Sequence, residues 1–223
     1  MTAGPSAAPV RLQDMKAYPL GQSFESRPRR QRTSLIVLHE SVTYTREAAV
    51  SVLLCRGLGV HYTVDRDGSV QQHAPLSRYC YHAGAGRNVT SVGVEIINRY
   101  YGDHAVAGED VIDAVWAHKG RYILPTEAQI AAVWDLVHEL GGELGIGDYP
   151  SGTGDTFRWG RDPRVTRAFR GVTAHHRWAH ADGLVPEHYC WLRARGLEHA
   201  EAWAETLAAA SSGQRVTTTE ASS

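Results

Sequence analysis

The run Ser34-Leu35-Ile36-Val37-Leu38-His39-Glu40 restricts the fold of this chain more than any other stretch. Four consecutive apolar residues in a segment this short, including β-branched Ile36 and Val37, suit a buried strand and fall short of an ordinary helix. The strand carries an imidazole, His39, to its end.

The patterns that follow supply partners for such a strand. Thr45 to Arg56 reads as a helix, with Thr45 as N-cap, Val50, Leu53 and Leu54 at helical spacing, and Gly57 as the stop. Val60 to Arg66 alternates like a strand, Asp67-Gly68 makes a hairpin turn, and Ser69 to His73 returns. Ser91 to Asn98 is another strand, with Glu95 on the face of Gly93 and Ile97. Thr126 to Leu140 carries a capping box, Thr126 with Gln129, and an apolar stripe of Ile130, Val133, Trp134, Val137 and Leu140, with Gly141-Gly142 as its end. Gly171 to Ala174 predicts a last short strand, and Pro186 to Arg195 and Leu197 to Ala210 predict closing helices. Residues 99–124 read as a long loop with one short helix, and residues 147–164 as a loop that borders a site. Strands separated by helices, with one hairpin, give an α/β domain with a mixed central sheet flanked by helices.

A chain of 223 residues with 43% hydrophobic residues suits a single domain. We place it at 33–210, after a lead-in at 1–32 that ends in the basic cluster Arg27 to Arg32, and before a disordered polar tail at 211–223. Net charge is −1, so no global field attracts nucleic acid or an anionic membrane. Three cysteines without zinc-finger spacing argue against a disulfide framework. No amino-terminal run has signal-peptide length, because Arg11, Asp14, Lys16 and Glu25 interrupt it.

The candidate chemistry lies in Ala174-His175-His176-Arg177-Trp178-Ala179-His180-Ala181-Asp182-Gly183. Imidazole and carboxylate are both zinc ligands, and a catalytic zinc takes three protein ligands and keeps one open position. A loop can fold back from His175 to Asp182, and His39 is the third candidate. Twelve histidines will cluster somewhere in a chain of this length, so the rest of the sequence must carry the case.

Four segments, in order, resemble the zinc-dependent N-acetylmuramoyl-L-alanine amidases of the type-2 class, which share a fold with peptidoglycan recognition proteins and amidase-type phage lysozymes. They are the strand ending in His39, the His61 to Gly68 hairpin, the Tyr81-His82-Ala83-Gly84 turn followed by Ser91 to Glu95, and Ala174-His175-His176 followed by Asp182-Gly183. The resemblance spans about Leu35 to Tyr189. It implies Zn2+ held by His39, His175 and Asp182 at one edge of the sheet. His176 is the rival of His175, which is chosen because it directly follows a small residue, as the family's ligand does. The family's Asp-Pro-Gly is here Asp182-Gly183-Leu184, with a short spacing from the second ligand.

The resemblance further implies Glu95 as the acid-base residue and His180 at the position of an oxyanion-stabilising lysine. Val60 stands where some relatives have tyrosine. His82, Tyr81 and Trp178 are candidates for contact with substrate, with His82 alternatively orienting a ligand; Tyr79 and Trp159 are further aromatic candidates for the groove. The implied activity is hydrolysis of the amide between N-acetylmuramic acid and L-alanine in peptidoglycan or its fragments. A muropeptide-binding module without hydrolysis and a zinc amidohydrolase with another amide substrate are the competing classes. An endolysin-like protein made in the cytoplasm without a signal peptide would reach the wall by lysis or a non-classical route.

Overall fold

A computed structural model gives the structure, which describes residues 18–146, 156–162, 165, 169–178, 182–212 and 216–217. The apolar run forms β2, Leu35–Glu40, after a short β1 at Ser26–Pro28. Helix α1, Arg46–Cys55, begins where Thr45 Oγ1 accepts the N–H of Ala48. The hairpin is β3, Tyr62–Val64, and β4, Val70–Gln72, closed through Gly68 at φ +83°. Then come β5, Arg78–Cys80; β6, Ser91–Ile96; a second hairpin of β7, Val111–Asp113, and β8, Arg121–Ile123; and α2, Glu127–Leu144. The chain continues with β9, Thr156–Phe157; β10, Gly171–Ala174; α3, Leu184–Arg193; α4, His199–Ser212; and β11, Val216–Thr217, which pairs with β9.

The central sheet has the order β10-β2-β6-β3-β4. Its first four strands are parallel and β4 is antiparallel to β3, so the sheet is mixed, as its sequence predicts. One face, carrying Ile36, Leu38, Val92 and Val94, packs under Ile130, Val133, Leu136, Val137 and Leu140 of α2 and Leu184 and Trp191 of α3. Burial of each such side chain contributes about 1.5–3 kcal/mol, and this is the main core. None of the described helices is long and apolar enough to cross a membrane.

Several expectations are corrected. Residues 99–124 hold the β7–β8 hairpin and single 3-10 turns at Gly102–His104 and His118–Gly120 rather than a long loop with one helix. Gly141-Gly142 does not end α2, because Gly141 is buried within it and Gly145, at φ +59°, is the stop. The basic cluster is not wholly solvated. Ser26–Pro28 pairs with β5, and the Arg29 guanidinium donates to the carbonyls of Leu76, Val89, Arg78 and Ser91, pinning β1 to the sheet. All three cysteines are free.

Candidate metal centre

Alternation along β2 sends Leu35, Val37 and His39 to the face opposite α2, and along β6 it sends Ser91, Gly93 and Glu95 there. His39 and Glu95 are register partners at the carboxyl ends of these parallel strands. β10 lies beside β2 at the sheet edge, with Ala174 opposite Leu38, so His175 emerges next to His39. The imidazole ring centres of the two lie 4.6 Å apart. The chain then turns through a 3-10 segment, His175–Arg177, and Asp182 follows before α3.

His39, His175 and Asp182 each offer a ligand atom, all within 4.8 Å of one another. Asp182 Oδ2 is 3.6 Å from His39 Nδ1 and 3.5 Å from His175 Nδ1, whereas its Oδ1 is buried with no hydrogen-bond partner. Two imidazoles and a carboxylate that converge in this way, with an unpartnered buried oxygen, suit a divalent cation. Burial opposes ionisation of Asp182, but the two imidazoles overcome it and hold the carboxyl well below the usual range.

Glu95 is buried beside this cluster. Burial, then the carboxylates of Asp182 and Glu40, push its carboxyl up to about 8. His176 is not part of this group, and burial lowers its imidazole to about 4.

His82 occupies the space left by Gly93, where an added Cβ would lie 2.8 Å from His82 Cγ. Its Nδ1 is 3.0 Å from His39 Nε2, its Nε2 is 3.0 Å from Ser91 Oγ, and Ser91 Oγ donates to the Arg87 carbonyl at 2.8 Å. Asn88 Oδ1 accepts the N–H groups of His82 and Ala83, fixing the turn. A cavity of about 690 Å3 opens over the cluster, lined among others by Tyr81, His82, Glu95, Tyr100, Tyr101 and Trp178. Its far wall is α1, through Ala49, Val52 and Leu53.

The three proposed metal ligands, Glu95, His82, Tyr81 and Trp178 are thus brought to one cavity. Tyr79 is not on its walls, and half-buried Trp159 stacks on Trp116 at the edge of the core. His180 and part of the 147–164 segment lie outside the described residues.

Two contributors escaped the sequence reading. Glu40, buried on the opposite side of β2 from His39, accepts from Asn98 Nδ2 at 2.8 Å, from the Tyr122 hydroxyl and from the backbone N–H of Gly183 at 2.7 Å. Burial outweighs these bonds and pushes its carboxyl up to about 7. Arg177 forms a buried pair with Glu187 of α3 at 2.7 Å and donates to the Arg158 and Gly160 carbonyls, which anchors the turn after His175. A charged residue within a buried segment is the only sequence signal for either.

A family profile described as N-acetylmuramoyl-L-alanine amidase matches residues 29–190. Among solved structures, Staphylococcus aureus hydrolase AmiA is similar at 16% identity over 87% of this chain and 84% of that one, with a TM-score of 0.48. PlyL is similar at 16% identity over 89% and 99% of the two chains, with a TM-score of 0.47. The amidase LysC from Clostridium intestinale URNW is similar at 16% identity over 66% and 74%, with a TM-score of 0.42. No curated protein matches.

Proposed function

The chain belongs to the N-acetylmuramoyl-L-alanine amidase family, and from that premise we propose that it is a zinc hydrolase of the amide between N-acetylmuramic acid and L-alanine. The observation that carries this reading is the convergence of His39, His175 and Asp182 within 4.8 Å, beside buried Glu95 in an open cavity.

An amide is a weak electrophile, and its hydrolysis needs an activated water and a counter-charge for the carbonyl oxygen. Zinc, when bound, supplies both by lowering the pKa of water toward about 7 and polarising the carbonyl. His39, His175 and Asp182 would hold it. Glu95 takes the proton of the attacking water on its carboxylate and returns it to the leaving nitrogen. His180 is proposed as the donor to the oxyanion. Tyr81 and Trp178 give the substrate apolar faces to rest on. His82 has both ring nitrogens engaged within the protein, so its proposed role is to orient His39 rather than to donate to substrate.

Metal analysis of purified protein together with a muropeptide digest read by mass spectrometry tests the proposal. About one zinc per chain and release of free stem peptide are expected. Zinc and muropeptide binding without release would replace the enzyme by a recognition module. Cleavage of a different amide alone would keep the chemistry and change the substrate.

A further inference from the structure

We infer that Glu40 is a positioning residue that sets metal affinity by clamping the Asp182 loop to the end of β2. The inference rests on the zinc-site reading.

Asp182 is held on both sides by backbone contacts of described residues. On one side the N–H of His176 donates to the Asp182 carbonyl at 3.1 Å. On the other, the Gly183 N–H donates to Glu40 Oε2 at 2.7 Å, across 143 positions of sequence. Gly183 itself sits at φ +83°, and a Cβ there would lie 2.4 Å from the Leu38 carbonyl oxygen, so the backbone after Asp182 lies directly against β2. Two consecutive residues of one strand therefore serve the same site from opposite faces: His39 offers its ring to the cluster, and Glu40 holds the peptide that follows the third ligand.

Only a carboxylate satisfies this position. Three donors converge on its two oxygens, Asn98 Nδ2 and the Tyr122 hydroxyl on Oε1 and the Gly183 N–H on Oε2. Asn98 is fixed in that orientation because Nδ2 also donates to the Ile123 carbonyl and Oδ1 accepts from Arg66. A glutamine has one acceptor oxygen and would turn an N–H2 toward one set of donors. Freed from its clamp, Asp182 must find its position anew on each binding event.

The test is a double-mutant cycle read by zinc affinity in chelator competition. Glu40→Gln should weaken zinc binding by roughly 10- to 100-fold, the scale of lost support around a ligand. In an Asp182→Ala background, where there is no third ligand left to position, the same change should alter affinity by less than about twofold. Tyr122→Phe removes one donor to Glu40 and leaves the Gly183 bond, so its zinc affinity should stay within about twofold of wild type. Should Glu40→Gln fail to fold by circular dichroism, Glu40→Asp, which keeps the charge and shortens the reach, should show the same loss. Unchanged affinity in the Glu40 variant, or an equal loss with and without Asp182, overturns the clamp while leaving the zinc site intact. Wild-type protein that takes up no zinc overturns the site reading itself, and the clamp with it.

Discussion

The two faces of β2 and β6 differ as much as any two regions of this molecule, although they alternate residue by residue. Toward α2 lie Ile36, Leu38, Val92 and Val94, satisfied by dispersion and burial alone. On the opposite face lie His39, Ser91, Gly93 and Glu95, where His39 and Glu95 line the cavity, Ser91 bonds His82 and Arg87, and Gly93 makes room for the His82 ring. The first face is redundant, since any well-packed apolar side chain contributes. The second has no redundancy, because each group acts through the geometry of a few others.

Adjacent substitutions break this comparison most sharply. His39→Ala should abolish zinc binding and lower turnover on muropeptide by roughly 10³-fold or more, with secondary structure retained by circular dichroism, since a three-ligand site cannot spare one ligand. Asp182→Ala should weaken zinc retention in the same assay; an unchanged zinc content would return Asp182 to the role of a turn residue. Leu38→Ala, one position from His39, should do the reverse. Unfolding free energy should drop by about 2–5 kcal/mol by denaturant titration, while the folded fraction still binds one zinc.

Glu95→Gln should sharpen the picture within the cavity face. Zinc content and muropeptide binding should survive, while turnover falls by roughly 10²-fold. Loss of zinc in that variant would make Glu95 part of the metal site.

A smaller effect concerns pH, and here a buried histidine from each side behaves alike. Burial, then Arg29, lowers His61 to about 4; burial, then Arg177 and Arg195, lowers His188 to about 3. The unfolded chain takes up these protons below about 6.5 and the folded chain does not, so the contribution of these two histidines is complete above about 6.5 and is lost as pH drops through 4. Urea unfolding of the zinc-free protein should show a slope toward roughly 1.4 kcal/mol per pH unit for each proton of difference. A profile between about pH 6.5 and 4 that is unchanged when His61 and His188 are each replaced by glutamine would remove both histidines from the account.

The same contrast explains what was legible in the sequence. Local rules carried the apolar face: the Thr126–Gln129 capping box, the α2 stripe and the Asp67-Gly68 turn all stand where their patterns put them. They overreached only where tertiary packing decided, as at Gly141, which stays helical because it is buried. On the cavity face, resemblance supplied the residues but not their supports. Glu40 reads as the end of a strand, and its partners are 58, 82 and 143 positions away. Arg29 reads as one of a solvated basic cluster, yet its bonds reach 47 to 62 positions along the chain. No periodicity reports such pairs.

The row His39, His82, Ser91, Arg87 has a consequence of direction. A carbonyl can only accept, so the Arg87 oxygen fixes the Ser91 proton upon itself, and Ser91 Oγ must then receive from His82 Nε2. A neutral His82 therefore has a bare Nδ1, which in turn takes its proton from His39 Nε2. A neutral first ring then keeps its lone pair on Nδ1, the side that faces Asp182 and on which a cation would be held. A peptide oxygen four positions before β6 reaches Leu35's register partner thus selects the tautomer at the end of β2, and Gly93, by leaving room for the ring between them, lets that choice be transmitted.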